Sequence, residues 1–66
     1  MVDTRLIKSA IVAKGLSQKE LAQHINLSVN ALNRKINNKV EFKQTEIKLI
    51  ADILDINDIH KYFLCG

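Results

Sequence analysis

The chain has 66 residues, 47% of them hydrophobic, with two glycines, no proline and a net charge of +3. Such a chain is expected to build one small domain around one core, near the lower size at which domains fold unaided, and no separate ligand-binding or self-cleavage domain is expected within it. No stretch approaches the ~20 continuous apolar residues of a membrane span, and the first residues, MVDTRLIK, lack a signal-peptide layout. The expected location is therefore the cytoplasm. A single cysteine, Cys65, has no partner for an internal disulfide, which agrees with a reducing compartment.

Taken in chain order, the sequence predicts five helices. Asp3 is placed to cap a first helix that runs to about Lys14, with Leu6, Ile7, Ala10 and Ile11 on its apolar side. Gly15 ends it as a left-handed residue, and Leu16 packs back on Ile11 in a Schellman arrangement. Ser17 followed by Glu20 is a capping box, and Leu16 with Leu21 forms the hydrophobic staple that fixes how the chain enters a second helix. The device recurs at Ser28, with Leu27 and Leu32 as staple, so the second helix is only about two turns long. Ala22 is small where a third helix must cross the second closely. Asn26 sits in the turn between them, where a left-handed conformation is wanted and Asn tolerates it. Leu21, Ile25, Leu27, Leu32 and Ile36 then point to a shared core.

After the loop NNKVEFK a fourth helix runs from about Gln44 to Leu54, with Ile47, Ile50, Ala51 and Leu54 inward. Its start carries no good capping residue. Asn57 is placed to cap a short fifth helix, DIHKYFL. No linker, internal repeat or low-complexity stretch interrupts this order. The expected fold class is all-α, a five-helix bundle around one core.

Residues 17–38, SQKELAQHINLSVNALNRKINN, thus read as two short helices joined by a tight turn. This segment resembles the helix-turn-helix of the phage-repressor and Cro-type (XRE-like) family of transcriptional regulators. The resemblance extends from about Thr4 to Leu64. GLSQKELA at 15–22 is its most typical piece. NLSVNALNRKINNK at 26–39 follows the family form with Asn26 in place of the usual turn glycine, and ADILDI at 51–56 resembles the helix that closes the domain. The main departure is the absence of a proline after the third helix. The resemblance implies a lambda-repressor-like domain in which the third helix enters the major groove of double-stranded DNA.

Charge distribution agrees with that expectation. Residues 28–43 carry Arg34, Lys35, Lys39 and Lys43 against Glu41, whereas residues 44–66 carry Lys48 and Lys61 against Glu46, Asp52, Asp55 and Asp58. A basic surface beside the third helix attracts phosphates, and an acidic far side orients the approach. The base-reading candidates are Val29, Asn30, Asn33 and Arg34. Asn30 has the groups to hydrogen-bond an adenine edge, Arg34 those to bridge two acceptors of a guanine, and Val29 offers an apolar contact to a thymine methyl. The phosphate candidates are Gln18 and Ser28 at helix starts, Asn37, Lys39 and Lys43 in or beside the following loop, and Lys35, for which simple solvation is the alternative.

One such domain reads only a few base pairs. The family's solution is a homodimer on a near-palindromic operator, with half-sites ~34 Å apart. Ile59, Tyr62, Phe63 and Leu64 are the candidate dimer contact, although Ile59 and Phe63 also suit the core. Catalytic readings lack parts: His24, His60 and Cys65 have no zinc-ligand spacing, and there is no nucleophile–base arrangement or phosphate-binding glycine loop. No metal, cofactor, small-molecule ligand, membrane contact or enzyme activity is expected. The rival reading is a protein-binding helical module, such as an antitoxin or anti-repressor.

Overall fold

A computed structural model describes residues 1–63 as five α-helices: α1 (Thr4–Ala13), α2 (Gln18–His24), α3 (Val29–Ile36), α4 (Gln44–Leu54) and α5 (Ile59–Phe63). There is no strand among the described residues. No helix among them is long and apolar enough to cross a membrane.

The helix starts follow from local side-chain chemistry. Asp3 accepts the Leu6 amide at 3.1 Å. At α2 the capping box closes in both directions, with the Ser17 hydroxyl accepting from the Glu20 amide at 3.1 Å and Glu20 accepting the Ser17 amide at 3.0 Å. Ser28 takes the Ala31 amide at 3.1 Å. Two starts differ from the sequence expectation. The carboxylate of Glu46 accepts the Lys43 amide at 2.8 Å, so α4 gains the return half of a capping box although lysine has no acceptor to supply the other half. At α5 it is Asp58, not Asn57, that caps, taking the Lys61 amide at 3.2 Å.

The helix ends share one device. Gly15 (φ 72°), Asn26 (φ 60°), Asn38 (φ 63°) and Asp55 (φ 54°) are all left-handed. At each, the residue that follows sends its amide back to a carbonyl five residues earlier: Leu16 to Ile11, Leu27 to Ala22, Lys39 to Arg34, and Ile56 to Ala51, at 2.9–3.1 Å. This is the Schellman closure expected at Gly15, built three more times without glycine. Asn and Asp occupy those sites because their short polar side chains tolerate the left-handed region better than other residues.

Between these ends, each helix buries one stripe. Ile7 and Ile11 of α1, Leu21 and Ala22 of α2, Leu32 and Ile36 of α3, and Ile50, Ala51 and Leu54 of α4 are buried, with Ile25, Val2 and Phe63. Leu16 and Leu27, the outer members of the two staples, pack against this core. Phe42, in the loop before α4, meets Phe63 edge to face with centroids 5.5 Å apart, a favoured aromatic geometry. Val2 is held by Asn38, whose carboxamide accepts the Val2 amide at 2.7 Å and donates to the Val2 carbonyl at 3.1 Å. Thr4 donates to the Ile36 carbonyl at 2.6 Å, and the Asp3 amide donates to the Tyr62 carbonyl at 2.7 Å. The N-terminal segment therefore bridges the end of α3 and α5.

Candidate nucleic-acid interface

Helices α2 and α3 pack on one another across the Asn26 turn, with Ala22 buried. The staples and caps fix this pair locally, and Leu21, Leu32 and Ile36 anchor it from below. All three are fully buried. What α3 turns outward is then determined by helical spacing: Val29, Asn30, Asn33 and Arg34 are all exposed. Val29, at 44% exposure, is a large apolar side chain left in solvent at the first position of the helix. Asn30 and Arg34 make no side-chain hydrogen bond or ion pair with any described residue.

Asn33 differs from its neighbours. Its carboxamide donates to Gln18 Oε1 at 3.4 Å and accepts from Asn37 Nδ2 at 3.1 Å, while Asn37 also donates to the Asn33 carbonyl at 2.9 Å. The structure therefore gathers three of the sequence candidates into one line of amides, from the start of α2 to the end of α3. The Ser28 hydroxyl accepts the Ala31 amide and keeps its own proton for donation. Lys39 and Lys43 are exposed on either side of the loop that joins α3 to α4.

Lys35 is a correction. It is only 8% exposed, and its ammonium is spent on the carboxylate of Glu46 on α4, with Nζ–oxygen distances of 2.6 and 2.7 Å. Glu46 is itself 7% exposed and takes the Lys43 amide as well. Burial raises the Glu46 pKa. The Lys35 hydrogen bond, the Lys43 amide and the charges of Lys35 and Lys43 outweigh burial and hold the carboxyl below its ordinary value. A lysine committed in this way is not available to a phosphate. Its function is to tie α3 and the loop to the first turn of α4.

The expected dimer contact is corrected in part. Phe63 is 1% exposed and belongs to the core, where it meets Phe42. Ile59 and Tyr62 are half-buried and pack against the same cluster. Leu64 lies outside the described residues, as does Cys65. A small bundle needs a lid at its open end, and α5 supplies one by packing on α1 and α4.

Sequence reasoning missed Glu46 and Asn38, the two polar residues that position α3. The signal for Lys35 was present, since it lies three residues after Leu32 and next to Ile36, on the buried stripe. For Asn38 the signal was weak: its partner, Val2, lies 36 residues away.

No curated protein matches the chain closely. The family model described as a protein of unknown function, DUF739, matches residues 1–65, essentially the whole chain. The chain is therefore a member of the DUF739 family.

Proposed function

We propose that this protein binds double-stranded DNA in a sequence-specific way and regulates transcription, in the manner of the Cro and phage-repressor regulators its sequence resembles. One observation carries the reading. The outer face of α3 holds an apolar residue, a carboxamide and a guanidinium, all exposed and without internal partners among the described residues, on a helix whose inner face is tightly fixed. Polar groups arranged this way on a second motif helix suit base edges in the major groove.

In this reading Val29 contacts a thymine methyl, Asn30 an adenine edge and Arg34 a guanine. Gln18, Ser28, Lys39 and Lys43 contact the backbone on either side, which sets register and adds no sequence information. Asn33 and Asn37, engaged with each other, support Gln18 from behind. Two copies bind one near-palindromic operator, and the protein acts by occupying or vacating promoter DNA, most simply as a repressor.

The test is selection from a random double-stranded DNA pool with the folded protein. Enrichment of a near-palindrome with half-sites ~34 Å apart is the expected result. Failure to enrich any sequence would overturn the reading in favour of a protein-binding module, and the next experiment would then be a pull-down.

A further inference from the structure

Gln18 does not stand alone at the start of α2. A shallow depression between α1 and α2 is lined by Lys8, Ile11, Val12, Leu16, Ser17 and Gln18. Its floor is apolar, formed by the buried Ile11 and half-buried Leu16. Its rim carries hydrogen-bond donors. Lys8, on the exposed side of α1, takes part in neither ion pair among the described residues. Gln18 has its carboxamide oxygen occupied by Asn33, which in turn accepts from Asn37. The line of amides thus runs in one direction and leaves the Gln18 NH2 group as its free donor end. No carboxylate lines the depression.

An ammonium and a carboxamide NH2 on one rim suit an oxyanion, and in a DNA complex the oxyanion presented to this edge of the motif is a backbone phosphate. We propose that Lys8 is a phosphate-contacting residue, paired with Gln18 across this depression. The proposal rests on the DNA-binding reading and extends its surface from α2 and α3 onto α1. The two residues divide the work. Gln18 is neutral and, oriented by Asn33, contributes direction. Lys8 contributes the charge, as a flexible point cation suited to phosphate. Because only a cation displaces a condensed counterion, the salt dependence belongs to Lys8 and not to Gln18.

The test is a salt titration of binding to a labelled mixed-sequence DNA duplex, read by fluorescence anisotropy, for the full chain and three variants. Lys8→Ala should make the log–log salt slope shallower by about 0.9, the value for one phosphate, and should weaken binding to every duplex alike. Lys8→Arg should restore the slope. Lys61→Ala removes the same charge from α5, where the side chain is exposed, and should leave the slope near that of the parent chain. Both positions are exposed, and a thermal melt checks that each variant is folded.

Binding by the parent chain with an unchanged slope for Lys8→Ala would overturn the Lys8 contact and leave the DNA-binding reading intact. Equal losses for Lys8→Ala and Lys61→Ala would overturn it too, because net charge alone would then account for the effect. No binding of the parent chain to any duplex would overturn the DNA-binding reading itself.

Discussion

The inner face of α3 presents Leu32, Lys35 and Ile36, all buried, and its outer face presents Val29, Asn30, Asn33 and Arg34, all exposed. Arg34 and Lys35 are adjacent cations, yet one is paired with a buried carboxylate and the other has no partner among the described residues. Counting charges along this helix treats them alike; the fold does not. A cation on the inner stripe must bring a counterion with it, because leaving water unpaired is costly. One on the outer stripe keeps its hydration until a ligand replaces it. The difference separates residues that shape the helix from residues that use it.

The comparison can be broken most forcefully at Lys35. Lys35→Met leaves Glu46 buried without its cation and should cost about 3–5 kcal/mol in urea unfolding. Replacing both, as Lys35→Met with Glu46→Gln, should recover much of that loss, since the remaining carboxamide still accepts from Lys43. The pH dependence has a defined sign. In the parent chain Glu46 is held below its ordinary value, so the pair's contribution is complete above about pH 4.3 and is lost as pH falls through the lower folded-state value. In Lys35→Met both contributions of Lys35 are gone while burial remains, so Glu46 moves up relative to the parent chain and acid costs this variant less. The stability gap between the two chains should therefore narrow as pH falls, and a constant gap would show that the charge pair is not its source.

Asn38 offers the next largest effect. Asn38→Ala keeps the left-handed backbone without a tolerant side chain and deletes both bonds to Val2, which should cost about 2–3 kcal/mol. Asn26→Ala bears only the backbone term and should cost about 1 kcal/mol. Equal losses in thermal melts would mean that the Val2 clamp adds nothing.

On the outer face the expectation inverts. Arg34→Ala should change stability by less than about 0.5 kcal/mol but weaken the proposed DNA binding by about 1–3 kcal/mol, with relaxed preference at one base position. A stability loss as large as that of Lys35→Met would erase the distinction between the faces. The smallest effect belongs to the exposed ion pair of Lys14 and Asp55. Lys14→Ala should shift stability by no more than about 0.5 kcal/mol, because both groups remain in water.

Much of the fold was legible because its determinants are local. The Ser17–Glu20 box, the Ser28 cap, the Gly15 closure and the left-handed Asn26 each depend on residues within one or two turns, and the structure contains all four. The core stripe of α4 followed from spacing alone. What escaped were pairings across the chain: Lys35 with Glu46, 11 residues apart, and Asn38 with Val2, 36 apart. Position on a stripe tells whether a lysine faces inward, but the carboxylate that permits this is known only once α4 is docked. Phe63 was ambiguous for a related reason, since an apolar chain end looks the same whether it closes its own core or meets another copy.

The sealed helix ends also have a kinetic consequence. Four of the five helices terminate in bonds spanning five residues, so those ends can close before distant parts of the chain meet. Chains rich in local contacts fold in microseconds to milliseconds. Three contacts that join distant parts of the chain tie down the N-terminal segment: Val2 with Asn38, Thr4 with Ile36, and Asp3 with Tyr62. Because they hold a chain end, these contacts are expected to form late and to open early. In native-state hydrogen exchange the amides of Val2 and Asp3 should therefore exchange through small local openings, while those of Leu32 and Ile36 wait for the whole domain to unfold.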